Sequence, residues 1–357
     1  MKMEEVIALV LAAGKGTRMK SKLPKVLHKA GGVPMVGQVL RAVKDAGTKR
    51  EIVVVGFGAE AVTAYVGETA ETVVQKEQLG TGHAVLQAES LLQGEKGILL
   101  VTCGDTPLVR TETFRALLDC HKKTQASATV LTACMPDPTG YGRVIRSADG
   151  KVSKIVEQKD GTSQELAVNE VNAGIYCFEL PELWELLHRI GNNNAQGEYY
   201  LTDIIGMLVA DGKTVSAVAA EDYRETLGVN SRLQLAQAEK NLRERKLEEL
   251  MTEGVTVQDP SNTYVETTVT VGRDTVLYAG TVLEGRTVIG ENCEIGPFVR
   301  LTNVVMGDGN SLQYTYAHDC TIENNLTAGP FVHFRPKTHI ERSEEHTSEL
   351  QSHYSIS

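Results

Sequence analysis

The sequence predicts a doubly wound α/β domain followed by a parallel β-helix of hexapeptide repeats. In the N-terminal part, short apolar runs alternate with segments of helical period, which is the pattern of βαβ units. From Val265 onward an apolar residue recurs at every sixth position, which is typical of a β-helix. At 357 residues the chain is long enough for two such domains.

Composition and charge argue against nucleic-acid-binding, membrane-inserted and secreted proteins. A formal net charge of -10 argues against nucleic acid or an anionic membrane surface as the main partner. No apolar stretch approaches the ~20 residues of a membrane helix, so membrane insertion is not expected. The apolar run near the start follows Glu4 and Glu5 rather than a basic region, which argues against a secretion signal. Six dispersed cysteines without a CxxC pair predict reduced thiols in a cytoplasmic protein.

The first element is an apolar run at residues 6–11 with the length and β-branched content of a buried strand. A glycine-rich stretch follows at 11–19, so it lies at the carboxyl edge of the sheet, where α/β sheets bind ligands. Glycine turns leave backbone N–H groups free to converge on an anion. Between residues 6 and 44 all charged residues are Lys or Arg. A phosphate is therefore the predicted ligand, and a plain tight turn is the alternative.

Two familiar glycine motifs do not fit this loop. The dinucleotide fingerprint requires a third glycine where Met19 stands, and no helix signal follows at once. The P-loop requires a glycine followed by Lys and then Ser or Thr, which Gly16, Thr17 and Arg18 do not supply.

The next elements continue the alternation of helix and strand. Predicted helices cover 35–46, 60–66 and 81–92, and predicted strands cover 52–55, 72–74 and 97–102. Asp105 comes just after the last of these strands, at the same sheet edge as the glycine loop. It could hold Mg2+ on a nucleotide phosphate, or it could be a turn or N-cap residue for a helix beginning near Thr111.

A β-rich insert follows, with predicted strand segments at 127–132, 140–144, 152–157 and 172–178. A polar, glycine-containing run at 192–203 then precedes a short helix ending at Val209. That run is either a surface loop or a sugar-binding rim, and composition does not decide between them. Residues 233–251 predict a long linker helix, since a coiled coil would need more heptads.

The β-helix prediction depends on spacing. One series of apolar residues keeps a six-residue step, shifts by one residue, and later resumes: Val265, Val271, Leu277, Leu283, Ile289, Ile295, Leu301, then Met306, Leu312, and then Ile322, Ala328, Phe334, Ile340. Each would fill the core of a prism whose six-residue units are short strands. Residues 342–357 break this register, and we interpret them as a foreign or disordered tail after truncated repeats.

Taken together, residues 11–19, 24–28, 75–83, 140–143 and 192–203 resemble one family, over about residues 5–341. It is the family of bacterial bifunctional enzymes that combine N-acetylglucosamine-1-phosphate uridylyltransferase with glucosamine-1-phosphate N-acetyltransferase. The resemblance implies a Rossmann-like nucleotidyltransferase domain with a mixed sheet at 1–230 and a linker helix at 231–254. It also implies a partial left-handed β-helix at 255–341.

The resemblance further implies uridylyl transfer from UTP to N-acetylglucosamine-1-phosphate, giving UDP-N-acetylglucosamine for cell-envelope precursors. It implies Arg18, Lys25 and Asp105 as the catalytic groups, and Asp105 with Asn230 as Mg2+ ligands. The implied substrate-binding residues are Leu11, Ala12, Ala13, Gly14, Lys25, Gln75, Gly80, Thr81, Cys103, Gly104, Asp105, Gly142, Glu157, Asn172, Asn230 and Arg335. Two residues depart from the family pattern: Cys103 replaces an aromatic residue and Ala173 replaces a threonine.

Acetyl-CoA and a homotrimer are implied only for an intact family member. Arg335 is the one residue of the acetyl-transfer site that matches here, so we expect no useful acetyl transfer from this chain. Three other interpretations compete: a nucleotidyltransferase for another sugar-1-phosphate, a non-catalytic β-helix scaffold, and a nicotinamide oxidoreductase. The run at 192–203 argues against the first, and the presence of Lys25, Asp105 and Asn230 argues against the second. Met19 argues against the third.

Overall fold

The computed structural model describes residues 5–341 of the chain. The predicted tail at 342–357 lies outside the described residues. The chain divides into two compact units between Ala238 and Glu239. Each unit has its own core, and we describe each by itself.

Unit 1 is built on a mixed nine-stranded sheet. Its central strands run in the order β11-β7-β10-β6-β1-β4-β5, and β8 and β9 extend the edge of β10. The strands of this unit, with the small β2–β3 pair, are β1 Val6–Ala12, β2 Lys29–Ala30, β3 Val33–Pro34, β4 Arg50–Val55, β5 Glu71–Val74, β6 Gly97–Cys103, β7 Ala128–Cys134, β8 Arg143–Arg146, β9 Val152–Val156, β10 Glu170–Leu180 and β11 Val215–Ala219.

Parallel pairing joins β6, β1, β4 and β5, as the alternation of helix and strand predicts. The long strand β10 runs antiparallel to both β6 and β7, which makes the sheet mixed. The helices are α1 Met35–Asp45, α2 Ala59–Val66, α3 Thr81–Leu86, α4 Glu89–Leu92, α5 Thr111–Thr124, α6 Ser163–Leu166, α7 Glu182–Leu187, α8 Asp203–Ala210 and α9 Arg232–Thr252.

Both faces of the sheet are buried because its side chains alternate between two apolar cores. In β1, Ile7 and Leu9 enter one core, which α3, α7 and α8 also line. Ala8 and Val10 enter the other core with residues of α1, α2 and α5. The central strands therefore read as continuous apolar runs, and their carboxyl ends form a rigid edge for a site.

One predicted element is divided for a clear reason. The helix predicted at 81–92 is broken, because Gln87 and Ala88 donate i→i+3 bonds to Ala84 and Val85, which tighten the turn and end α3. A single 3-10 turn, Thr17–Met19, follows the glycine loop, which agrees with the lack of a helix signal there in the sequence. Other single 3-10 turns are Lys25–Leu27, Gly67–Thr69, Tyr223–Thr226 and Pro260–Asn262.

Unit 2 contains the predicted parallel β-helix. Its short strands form three five-stranded parallel sheets, in which each strand pairs with the strand three positions later in the chain. These strands are β12 Thr256–Val257, β13 Tyr264–Val265, β14 Thr270–Val271, β15 Val276–Leu277, β16 Val282–Glu284, β17 Val288–Ile289, β18 Glu294–Ile295, β19 Arg300–Thr302, β20 Val305–Met306, β21 Ser311–Leu312, β22 Thr315–His318, β23 Thr321–Ile322, β24 Thr327–Ala328, β25 Val332–Phe334 and β26 His339–Ile340.

The predicted six-residue series forms the core of this prism, and Leu277, Leu283 and Leu301 are fully buried. The six-residue spacing did not predict Ala317, a buried residue that pairs with Leu301 on the adjacent coil. A small side chain in a coil shortened by tighter turns gives no clear signal in the periodicity. Nor did the spacing predict the apolar core residues Val269, Cys293, Val299, Val304 and Cys320.

A second buried series was not predicted. Thr263, Thr275, Thr281 and Thr287 have no exposed surface, and Thr275 and Thr281 donate to backbone carbonyl oxygens of the adjoining coil at 2.9 and 3.0 Å. These hydroxyls add bonds between adjacent coils, and the one from Thr281 is a second bond to the Ile295 carbonyl oxygen, which also accepts the N–H of Tyr278 at 2.8 Å.

The predicted linker helix corresponds to α9, and the division between the two units falls within it. Among the described helices, none is both long enough and apolar enough to cross a bilayer.

Candidate active site

A cavity of about 270 Å³ opens at the carboxyl ends of β1 and β6. It is lined by Leu11, Ala12, Ala13, Gly14, Lys25, Val26, Gln75, Gln78, Gly80, Thr81, Ala84, Cys103, Asp105 and Glu198. Most of the residues predicted to bind nucleotide are in this set. Val26, Gln78, Ala84 and Glu198 were not predicted, although all but Ala84 lie inside segments that the sequence singles out.

The glycine loop is shaped for a close approach to Lys25. Gly16 has φ 57°, in the left-handed region, and a Cβ atom there would lie 2.6 Å from Cβ of Lys25. Gly14 is exposed at the cavity, with open space where a Cβ would stand. The two glycines therefore have different roles. Gly16 makes room for the side chain of Lys25, and Gly14 leaves its backbone exposed at the cavity.

Lys25 joins two distant segments at the base of this loop. Its ammonium group forms an ion pair with Asp105 and donates to Oδ1 of Asn230 at 2.9 Å. The side chains of Lys25 and Asp105 are only 12% and 18% exposed. Because water screens such a pair weakly, removing one partner would leave a partly buried charge without compensation.

Backbone bonds hold Asp105 and Asn230 in place. The N–H of Val229 donates to the carbonyl oxygen of Asp105 at 2.8 Å, and the N–H of Gly104 donates to Leu11 at 2.9 Å. Helix α5 begins after Arg110, without a side-chain cap. Asp105 is therefore not an N-cap, and its carboxylate faces Lys25 instead.

At the other end of the cavity, the segment around Gly80 pairs with part of the polar run. Tyr199 donates its N–H to Leu79 and accepts from Gly82, each at 2.8 Å, and Oγ1 of Thr81 accepts from the N–H of Leu201 at 3.1 Å. A Cβ at Gly80 would lie 2.6 Å from the Tyr199 carbonyl oxygen. This pairing brings the C-terminal end of the run at 192–203 to the cavity.

The residues assigned to the sugar lie together. The N–H of Asn172 donates to Gly142 at 2.9 Å, and a Cβ on Gly142 would lie 3.4 Å from the Glu157 carboxylate. Oγ1 of Thr202 donates to Oε1 of Glu157 at 3.1 Å. Burial raises the pKa of Glu157, while the Thr202 hydroxyl acts in the opposite direction.

Glu157 lines a second cavity, of about 330 Å³, with Asp160, Asn194, Tyr200 and Asp203. Leu201 and Thr202 connect the two cavities, because one bonds to Thr81 in the first and the other to Glu157 in the second. Thr202 was not singled out from the sequence as a site residue, although it lies in the polar run.

Asn172 is fixed by its own contacts. Its Oδ1 accepts from the N–H of Gly174 at 3.0 Å, and its Nδ2 contacts the Tyr176 hydroxyl at 2.6 Å. Between them, Ala173 is buried with 7% exposure and packs in the second core of the sheet. No sequence signal pointed to Tyr176.

Cys103 has the properties of an inert thiol. Burial, reinforced by the negative charge of Asp105, raises its pKa to about 12. The thiol therefore stays protonated at neutral pH, and a thiolate nucleophile is not available here.

Six predicted site residues are not among the residues that line either cavity: Arg18, Gly104, Gly142, Asn172, Asn230 and Arg335. Four of these are held beside lining residues, since Gly104 bonds to Leu11, Asn230 bonds to Lys25, and Gly142, bonded to Asn172, lies next to Glu157. Arg18 is exposed on the 3-10 turn Thr17–Met19. Arg335 is exposed and belongs to unit 2, so the structure gives no geometry that joins it to the cavities of unit 1. Within residues 5–341, no group of three or more His, Cys, Asp or Glu side chains is arranged to hold a metal ion.

Comparison with known proteins agrees with this geometry. The Nucleotidyl transferase family matches residues 7–241, and the Bacterial transferase hexapeptide (six repeats) family matches residues 268–303. The first match contains both cavities, and the second lies in the β-helix.

Similar curated proteins extend over nearly the whole chain. The bifunctional protein GlmU of Geobacillus sp. (strain WCH70) is 52% identical over 334 residues, which are 94% of this chain and 73% of that protein. Its counterpart in Geobacillus thermodenitrificans (strain NG80-2) is 51% identical over the same shares of both chains. The one in Halalkalibacterium halodurans is 48% identical over 338 residues, 95% of this chain and 74% of that protein. This identity, over both units and in the same order, shows that the chain belongs to the bifunctional GlmU family.

Proposed function

We propose that unit 1 transfers a uridylyl group from UTP to N-acetylglucosamine-1-phosphate, forming UDP-N-acetylglucosamine and pyrophosphate. Membership of the GlmU family and the nucleotidyl transferase match make the chain a nucleotidyltransferase of this type, a UDP-N-acetylglucosamine diphosphorylase. The contact of Lys25 with both Asp105 and Asn230, beside the glycine loop, is the single observation that carries the residue assignments.

The residues at this point suit a divalent cation. The Lys25 ammonium lies between a carboxylate and an amide oxygen, so the two oxygens already converge on one positive charge. Mg2+ prefers such hard oxygen ligands, takes only one or two of them from protein, and uses substrate phosphates and water for the rest. Divalent metal use is general in the family, and we assign Mg2+ to Asp105 and Asn230. When bound there, the ion would neutralise negative charge on the nucleotide phosphates.

In the reaction, a phosphate oxygen of the sugar-1-phosphate attacks the α-phosphorus of UTP, and pyrophosphate leaves from the opposite side. A loose transition state of this kind is stabilised mainly by positioning of the two substrates and by positive charge near the phosphates, and it needs no covalent intermediate with the protein. Lys25 supplies positive charge at the α-phosphoryl group, and Arg18 supplies it at the leaving group. The glycine loop that follows β1, with Gly14 exposed at the cavity, supplies backbone N–H groups that orient the phosphates. The protonated Cys103 takes no covalent part.

We assign base recognition to one end of the site and sugar recognition to the other. Gln75, Gly80 and Thr81 contact the uracil base, and Gly142, Glu157 and Asn172 contact the N-acetylglucosamine moiety. The bond from Thr81 to the backbone of Leu201, next to the Thr202 that holds Glu157, supports a continuous track from base to sugar.

The hexapeptide repeats of unit 2 correspond to the acetyltransferase domain of the family. We assign acetylation of glucosamine-1-phosphate by acetyl-CoA to members of the family that have the whole hexapeptide domain, on a homotrimer of β-helices to which Arg335 contributes. We place both reactions in the cytoplasm, which agrees with six cysteines that are all free thiols.

Labelled UTP tests the proposed bond cleavage. With UTP labelled at the α-phosphorus, the label should appear in UDP-N-acetylglucosamine. With UTP labelled at the γ-phosphorus, it should appear in pyrophosphate. If the γ-label were released as inorganic phosphate and the α-label did not appear in a nucleotide sugar, the enzyme would be hydrolysing UTP. That result would contradict uridylyl transfer.

A further inference from the structure

Gln75 makes a side-chain contact that the proposed reaction does not use. It is 3% exposed and lines the first cavity. Its Nε2 lies 3.2 Å from the carbonyl oxygen of Gly80 and 3.0 Å from Nδ1 of His83. One nitrogen atom therefore has two partners on the protein side.

These two partners decide which way the amide of Gln75 faces. A carbonyl oxygen can only accept a hydrogen bond, so the nitrogen of the amide must face Gly80. That nitrogen then also faces the imidazole of His83, whose Nδ1 must accept. Both amide hydrogens are committed in this arrangement, and Oε1 is the atom of Gln75 left for a ligand.

The other ring nitrogen of His83 faces Gln87. The Nε2 of Gln87 donates to the backbone carbonyl of His83 at 2.9 Å and lies 3.2 Å from the ring Nε2. A neutral imidazole accepts at only one nitrogen, so the two ring contacts cannot both be hydrogen bonds. The contact with Gln75 is shorter and involves the more buried amide, and we take it as the hydrogen bond.

We propose that His83 is a positioning residue that fixes the amide of Gln75 with its oxygen toward the nucleotide base, and so selects uracil over cytosine. This inference rests on the proposed function, in which Gln75 contacts the base. N3 of uracil carries a hydrogen and donates to Oε1. N3 of cytosine carries a lone pair, so cytosine would place a second acceptor against Oε1. A site built for a hydrogen bond discriminates strongly against a base that cannot form it.

The test measures kcat and KM for UTP and for CTP, with N-acetylglucosamine-1-phosphate and Mg2+ saturating. His83→Phe keeps a ring but removes the shorter of the two contacts, so only the 3.2 Å bond to the Gly80 carbonyl oxygen still holds the amide of Gln75, and its orientation is less strictly fixed. We expect the UTP to CTP ratio of kcat/KM to fall about 10-fold, mainly through a higher KM for UTP. His83→Ala makes the same comparison without a bulky replacement.

Two further variants separate positioning from a merely structural role. His83→Asn places an amide oxygen close to the position of Nδ1, so it should restore most of the ratio. Gln87→Ala removes the other ring contact and should leave the ratio unchanged.

Two results would overturn the inference. An unchanged UTP to CTP ratio in both His83→Phe and His83→Ala, with an active wild type, would overturn the role of His83 alone. A wild-type protein that transfers no nucleotide at all would overturn the proposed function, and this inference with it.

Discussion

Nζ of Lys25 donates to Oδ1 of Asn230 across 2.9 Å, although the two residues are 205 positions apart in the chain. The same ammonium pairs with Asp105, so three segments of unit 1 meet at one positive charge. The fold achieves this meeting because β1 and β6 are neighbours that end at the same edge, and because Val229 is bonded to the backbone of Asp105. The proposed catalysis depends on this positive charge and on the two oxygen ligands around it.

Lys25→Ala should lower kcat/KM for uridylyl transfer by about 10²–10³-fold, because the transition state loses a preorganised positive charge. Lys22→Ala is the matched control, since Lys22 is exposed on the same segment, and it should be nearly normal. Thermal unfolding checks that both variants are folded. Near-normal turnover in folded Lys25→Ala would remove the assigned role.

Asp105→Asn keeps the shape of the side chain but removes its charge. We expect turnover to fall roughly 100-fold or more, together with a higher Mg2+ concentration for half-maximal rate. A Mg2+ titration of the initial rate measures both effects. Asp119→Asn, at an exposed position on α5, should show neither. A variant with reduced turnover but the wild-type Mg2+ dependence would speak against metal binding by Asp105.

Gly16→Ala should raise KM for UTP and lower Tm, because the new Cβ would lie 2.6 Å from Cβ of Lys25 and must displace it. Gly150→Ala controls for backbone strain, since Gly150 also has positive φ but has open space around it. Both variants should lose about 1 kcal/mol of unfolding free energy from left-handed strain. Only Gly16→Ala should change KM, and equal kinetics in the two would contradict the close-packing explanation.

Glu157→Gln should alter the pH dependence of stability. Burial holds the pKa of Glu157 above its ordinary range, so the folded state binds its proton more tightly than the unfolded state. Ionisation therefore costs stability as the pH rises from roughly 4.5 toward neutrality. Unfolding in denaturant should show that Glu157→Gln gains stability relative to wild type across this range. A difference between the two proteins that stays constant with pH would exclude ionisation of Glu157 as the cause.

Much of the fold follows from local patterns. The β-helix is specified by the six-residue spacing of residues such as Leu277, Leu283 and Leu301, since this spacing brings one apolar side chain of each short strand into the core. The same patterns do not reveal Ala317, whose small side chain fills the core where the coil is shortened. Nor do they reveal that β10 is antiparallel, because a buried strand has the same apolar content in either direction.

Only part of the candidate site could be predicted from the sequence. Lys25 and Asp105 were grouped by their position at one sheet edge and by a family resemblance. The contact between Thr202 and Glu157 joins segments 45 residues apart, and no local pattern encodes it. His83 likewise lies in a singled-out run, but its effect on Gln75 depends on the geometry of one amide group.

Pyrophosphate release from the purified chain with UTP and Mg2+ tests the central claim most directly. The substrates to compare are N-acetylglucosamine-1-phosphate, glucosamine-1-phosphate and glucose-1-phosphate. The account predicts release with the N-acetylated sugar and little with the other two, because Gly142, Glu157 and Asn172 are assigned to that sugar. Equal or faster release with glucose-1-phosphate would contradict the sugar assignment, and no release with any of the three would contradict the proposed function itself.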